Sequence, residues 1–257
     1  MSHALHPDWP LPSLPPAEQD LPYDDGGPME GKKHRWQMDL LCGSLEDFWA
    51  DRRDVFIGGN LALYYSLLQV KQKQVLAPDV MVCLGTERRV RACWAVWEED
   101  GRVPDVVVEI LSPSTAEVDR GDKKRLYGTV VRVPEYFLFD PDSGQLEGYR
   151  LGAGGLGYQP IGPDGAGRLP SERLGLALGV WEGVWRGVEG PWARWYTAQG
   201  QLVPSAEEAW QAAEQARQAA EQARQAAEQA RQAAEERARE LEAQLRAYEA
   251  RFGPLKP

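Results

Sequence analysis

Residues 104–111 read PDVVVEIL, and the fold turns on how that stretch is read. Branched apolar residues in an unbroken run of this length predict a β-strand. Side chains alternate along a strand, so Asp105, Val107, Glu109 and Leu111 share one face while Val106, Val108 and Ile110 share the other. A run apolar on both faces belongs to a strand covered on both sides. Glu109 is then a carboxylate inside an apolar element, which demands a cation, a donor network or a raised pKa. Two readings fit at this point: an interior salt bridge to an Arg or Lys, or a functional acid.

A second stretch, APDVMVCL at 77–84, repeats the Pro-Asp opening of an apolar strand. Asp79 reads either as the cap of the turn before that strand or as a metal ligand. If the two strands pair, Asp79 and Glu109 converge at one sheet edge. Two carboxylates at one point repel unless a cation lies between them, and oxygen ligands with retained waters suit Mg²⁺. Downstream, Ser114 and Glu117 form a capping-box pattern, predicting a helix through about Gly128. On it Asp119, Lys123 and Tyr127 stand at i, i+4 and i+8. Folded back over its parent strand, that helix brings the Lys123 ammonium to the two acids, where it could polarise an attacking water or offset charge on a phosphorane-like transition state. The alternative is a surface Asp119–Lys123 pair with Lys124 and Arg125 as solvated neighbours.

Around this centre, 29–49 carries apolar residues at helical spacing, interrupted by Gly43. Residues 55–65 read as a strand broken at Gly58-Gly59-Asn60, and EYFLFD at 135–140 as a further apolar strand. The Gly- and Trp-rich stretch beyond, including 146–151 and 192–196, suggests β-hairpins, its tryptophans serving packing. Strands and helices mix without strict alternation, so the expected class is α+β or mixed α/β.

In combination, PDVVVEILSPST, DRGDKKRLYG and VPEYFLFDP resemble the Uma-type restriction-endonuclease domain family of bacteria, within the PD-(D/E)xK nuclease superfamily. The resemblance covers roughly 22–185. It implies a restriction-endonuclease-like mixed β-sheet core flanked by helices, with Mg²⁺ or Mn²⁺ held by acidic residues. Asp79 then matches the motif aspartate and Glu109 the motif glutamate, as catalytic residues and metal ligands. The superfamily lysine is expected two residues after the glutamate, where this chain has Leu111; Lys123 in DRGDKK matches a lysine displaced to the following helix. Asp105 and Asp119, with Lys124, match supporting positions, and Glu30 and His34 in MEGKKHRW match an acid and a histidine of related sequences. Residues 128–133 (GTVVRV) depart from the usual helix-to-strand turn. The implied activity is metal-dependent hydrolysis of DNA phosphodiester bonds.

Composition bounds these readings. With 257 residues, 43% hydrophobic and 26% charged, the chain has room for one well-cored domain plus appendages. A net charge of −10 opposes an overall basic coat but leaves room for local basic clusters. Lys32, Lys33 and Arg35, then Arg88, Arg89 and Arg91, then Arg120, Lys123, Lys124 and Arg125 flank the motif segments. The first and third clusters, through Lys32, Lys33, Arg35 and Arg120, are candidates for tracking a phosphate backbone; each cluster also fits a solvated face. No apolar run reaches the roughly 18 residues of a membrane span, and no signal peptide is expected. Three scattered cysteines, Cys42, Cys83 and Cys93, suit neither a disulfide framework nor a zinc site and point to the cytoplasm.

Three regions result. Residues 1–28, with seven prolines, predict an extended arm or a disordered leader. Residues 29–204 form the endonuclease-like domain, and 205–252 a long helix opened by Ser205 and Glu208. Its AAEQARQ repeat places alanines from Ala213 to Ala234 at alternating steps of three and four, a heptad seam. Beyond a stutter the seam continues through Ala238, Leu241, Leu245, Tyr248 and Phe252. Either a solvated single helix or a coiled coil making a homo-oligomer, in the first instance a dimer, fits this pattern. A catalytically inactive nuclease-like scaffold acting through that coiled coil is the competing function.

Overall fold

The computed structural model describes residues 15–17, 21, 31–72, 75–152, 154 and 157–253. Glu30 and most of the Pro-rich leader lie outside these residues. Chain contacts separate two units, Met1–Ser205 and Ala206–Pro257.

The first unit is a mixed α+β domain. Helix α1 (Lys32–Phe48) precedes β1 (Val55–Gly59) and β2 (Leu63–Tyr64). The predicted 55–65 strand is split because Asn60 adopts φ 46°, a turn conformation that Asn tolerates. Next come α2 (Leu67–Gln72), β3 (Val80–Leu84), β4 (Trp94–Ala95) and β5 (Val106–Ile110). A helical segment, α3 (116–131), leads to β6 (Glu135–Phe139), β7 (Leu146–Leu151) and β8 (Tyr158–Pro160). Finally β9 (Leu169–Ser171), β10 (Leu176–Trp185) and β11 (Val188–Thr197) complete the unit.

The main sheet runs β1-β3-β5-β6-β7-β8. Only β5 and β6 are parallel, and α3 is the crossover that parallel neighbours require. β9–β11 form an antiparallel sheet whose long β10–β11 hairpin turns at Arg186-Gly187, both at positive φ as a tight hairpin turn needs. Every residue of β5 is buried. Val106 and Val108 pack with Leu41, Leu45 and residues of the second sheet such as Leu178 and Trp195. Val107 and Leu111 pack on the opposite face with Tyr127, Tyr136 and Leu138. Glu109 is on this second face, under α3.

α1 passes through Gly43 without a break, since tertiary contacts outweigh one glycine's propensity. Leu40, Leu41 and Leu45 are buried, and the Gln37 amide donates to Ala193 O and accepts from Ala193 N, both at 2.9 Å, docking α1 on β11.

Three sequence expectations need correction. α3 opens after Thr115, one residue beyond the expected cap Ser114; Thr115 has no side-chain cap bond, and Ser112 Oγ accepts from Thr115 N at 3.2 Å. Thr115 is already near-helical, so the turn closes one residue beyond the site where Ser114 could cap it. Second, α3 is not a plain α-helix; Asp119–Lys123 and Tyr127–Val131 follow π-type bonding. It ends at Arg132, φ 67°, with Val133 N bonded to Tyr127 O at 2.9 Å, the local departure that GTVVRV signals. Third, where the leader is described it is packed against the body: Leu21 is buried with Ala62, Tyr64 and Cys93, and Trp97 Nε1 donates to Pro16 O at 3.1 Å. Proline lacks an N–H, but its carbonyl remains an acceptor.

The second unit is α4 (Ala206–Phe252), a 47-residue helix beginning one residue after Ser205. Among the described residues no helix is long and apolar enough to cross a membrane. Among the described residues Cys42, Cys83 and Cys93 form no disulfide.

Candidate active site

β3 and β5 pair antiparallel with Val80 opposite Val108, so one step outward Asp79 stands opposite Glu109. Two bonds lock the juxtaposition. Asp79 N donates to Glu109 Oε2 at 3.3 Å, and Ile110 N donates to Asp79 Oδ2 at 2.7 Å. From α1, His34 Nε2 reaches Asp79 Oδ1 at 2.7 Å. From α3, Lys123 Nζ lies 2.8 Å from Asp119 Oδ1 and 3.4 Å from Glu109 Oε1. Tyr127 OH donates to the same Glu109 Oε1 at 3.1 Å.

The π-type stretches explain how one helix supplies three inward groups. Mixing i+5 with i+4 bonding underwinds α3, so residues four apart drift less around the axis than 3.6 residues per turn would cause. Asp119, Lys123 and Tyr127 therefore stay over β5. Tyr136 OH adds a bond to Asp119 O at 3.0 Å, tying the helix to β6.

The electrostatics follow from burial. Glu109 and Asp119 are each 1% exposed, while Asp79, His34 and Lys123 are half-buried and form the open side. Burial pushes the Glu109 carboxyl up to about 8; Lys123 opposes the rise, and Asp79 and Asp119 add to it. Burial also pulls the Lys123 ammonium down, but Glu109 and Asp119 outweigh this and hold it above its ordinary value. Tyr127 is raised by burial and by the Glu109 charge, so it keeps its proton and donates a hydrogen bond to Glu109. Three carboxylates thus share one ammonium and one imidazole.

Other residues singled out from the sequence are placed elsewhere. Asp105 is four residues from Glu109 along β5, about 13 Å away at strand spacing. There it accepts from Leu84 N at 2.7 Å and from the Arg173 guanidinium, with Nε at 2.9 Å. It is a structural tie, not part of the site. Arg120 pairs with Glu147 at 2.8 Å, and Lys124 Nζ lies 3.3 Å over the Tyr149 ring. Lys33 donates to Pro141 O, while Lys32 and Arg35 are exposed on α1. The middle basic cluster is structural. Arg88 donates to Trp49 O at 2.7 Å, and buried Arg91 forks onto Glu99 at 2.6 and 2.9 Å. Tyr127 and Tyr136 were absent from the sequence-derived site; the i+8 spacing of Tyr127 from Asp119 was its one signal.

Residues 10–193 match the model of the Uma2 family, described as "Putative restriction endonuclease". The chain belongs to the Uma2 family. A Synechocystis protein, "Uncharacterized protein slr1290", is 35% identical to the Uma2 chain over 138 residues, spanning 51% of this chain and 66% of that protein. Among solved structures, "a putative nuclease belonging to DUF820 from Anabaena variabilis" is similar at 18% identity and a TM-score of 0.41, covering 56% of this chain and 74% of that one. The family match spans β1–β10 and most of β11, and so includes every side chain of the Asp79–Glu109 cluster.

Proposed function

We propose that this Uma2 chain hydrolyses DNA phosphodiester bonds with the help of Mg²⁺ or Mn²⁺ held by Asp79 and Glu109. The observation that carries the reading is the pairing of two carboxylates across β3 and β5, beside an ammonium and on a partly open edge. The donor set suits a hard cation. Each Asp79 oxygen keeps a lone pair after its bond to His34 or Ile110, and Glu109 Oε2 has only the long Asp79 N bond. Burial raises Glu109, with Asp79 and Asp119 adding to the rise, and the positive charge of a divalent ion would oppose it. Among the described residues no group of three or more His, Cys, Asp or Glu side chains is arranged around a metal position. Two carboxylates with water filling the remaining positions is a coordination Mg²⁺ accepts.

When bound, the cation supplies Lewis-acid stabilisation of charge on the phosphoryl oxygens. The remaining roles belong to the chain. Lys123, held protonated, donates rather than abstracts; it orients an attacking water or offsets negative charge at phosphorus. Asp119 fixes the position of that ammonium, and His34 fixes the Asp79 carboxylate. Tyr127 occupies Glu109 Oε1, leaving Oε2 turned toward Asp79. Lys32 and Arg35, exposed on the helix that carries His34, would meet flanking phosphates.

Plasmid nicking with Mg²⁺ tests this. The native chain should relax supercoiled DNA, and both Glu109→Gln and Lys123→Met should lose at least about 10²-fold of that rate. Equal rates in all three, with each variant folded, would remove the assignment. A native chain that neither nicks DNA nor binds Mn²⁺ would favour the scaffold reading instead.

A further inference from the structure

The C-terminal helix carries an independent signal, one that does not depend on the metal site. Near its end Leu241 is 53% exposed, Leu245 46% and Tyr248 49%. Side chains of this size on one stripe of a long helix are the anchors of helix pairing. The charges beside them decide what pairs. After the stutter, Ala238 and Leu245 take a positions and Leu241 and Tyr248 take d positions. Arg237 and Gln244 are then g residues, and Glu242 and Glu249 are e residues.

In a parallel pair, each g residue faces the e residue of the following heptad on the other helix. That sets Arg237 against Glu242 of the second copy, and Gln244 against Glu249 of the second copy. An antiparallel pair overlapping along the whole helix would instead set e against e, which near the ends brings Glu242 to Arg217 of the second copy. The middle of the helix decides between the two. There e is arginine (Arg217, Arg224, Arg231) and the facing g position in a parallel pair is alanine. The arginine stems can lie across the alanine surface while each guanidinium reaches its own helix's glutamate; Arg217 does so to Glu214 at 2.9 Å. An antiparallel pair overlapping along the whole helix would bring Arg224 to Arg231 of the second copy near its middle, a like-charge contact that the parallel pair avoids.

We propose that α4 is a parallel, in-register, two-stranded coiled coil formed with a second copy of this chain, anchored at Leu241–Tyr248 and oriented by the Arg237–Glu242 contact between copies.

The full chain provides the test. Light scattering after size exclusion at micromolar concentration should give twice the 28.7 kDa chain mass. Leu241→Cys, at an exposed position, should cross-link between copies on mild oxidation, well above the background of the native cysteines. Arg237→Glu puts two glutamates in contact and should weaken the dimer at least several-fold; adding Glu242→Arg restores opposite charges and should restore it. A monomeric native chain would overturn the proposal. So would a dimer without the Leu241→Cys cross-link, or a charge swap that fails to rescue. Nicking activity surviving in a monomer would leave the metal-site reading intact, so the two ideas fail separately.

Discussion

Asp79 and Glu109 are joined head to side across β3 and β5: the Asp79 amide binds the Glu109 carboxylate at 3.3 Å, and the amide after Glu109 binds the Asp79 carboxylate at 2.7 Å. This reciprocal lock means the strand register itself fixes the distance between the two acids. Loops contribute little to it. A shift of one residue would turn one acid to the opposite face.

The stability of the metal-free protein should therefore carry the signature of Glu109. Its folded pKa is about 8 against an ordinary value of 4.5, so the folded state holds the proton more tightly in that window. The contribution is complete below about pH 4.5 and is lost as pH rises through about 8. Thermal melts in EDTA across this range should show the decline, and Glu109→Gln should flatten it. Parallel curves for the two proteins would place the titration elsewhere.

Removing Lys123 should hurt more than removing its partner. Lys123→Met leaves Glu109 and Asp119 without their ammonium, a change expected to cost about 3 kcal/mol in denaturant unfolding. The Lys123→Met/Glu109→Gln double variant should recover a large part of that loss, because one buried carboxylate has been neutralised. Simple additivity would show that the two side chains do not interact.

Asp105 offers the opposite contrast. Asp105→Asn weakens the ties to Leu84 N and Arg173 and should lower stability by about 1–2 kcal/mol. Below the unfolding temperature its nicking rate should stay within about twofold of the native protein, given its distance of roughly four strand residues from Glu109. A loss comparable to Glu109→Gln would return Asp105 to the active site.

Tyr127→Phe removes one donor to Glu109 Oε1 while keeping the ring in the apolar layer. Loss of a donor to the charged form raises a carboxyl pKa. The pH–rate profile of nicking should move to higher pH, with a smaller change in the plateau rate. An unmoved profile would mean that the Tyr127 bond does not bias the charged form of Glu109.

The sequence made the centre of this fold legible because burial leaves a pattern. Eight residues of PDVVVEIL implied a two-face-buried strand with one misplaced carboxylate, and periodicity brought Lys123 to it. What stayed hidden depended on partners distant in sequence or on exact helix geometry. Arg173, which holds Asp105, is 68 residues away. Arg91 reads as a member of a basic surface cluster, yet it is buried on Glu99 beside the stacked Phe56 and Trp94 rings. The π-type bonding of α3 leaves no mark in an apolar period, and α3 opens after Thr115 rather than at Ser114, with Ser112 Oγ accepting from Thr115 N. Asp105 and Asp119 look alike in sequence; only the fold distinguishes Asp119, which grips Lys123, from Asp105, which grips Arg173.

Crystals soaked in Mn²⁺ and measured for anomalous scattering probe the metal assignment most directly. The expected result is a peak within bonding distance of both an Asp79 oxygen and a Glu109 oxygen, about 2.1–2.2 Å as for hard divalent ions, absent from Glu109→Gln crystals. A peak elsewhere, or none at saturating Mn²⁺ with both carboxylates still held to Lys123 and His34, would contradict it.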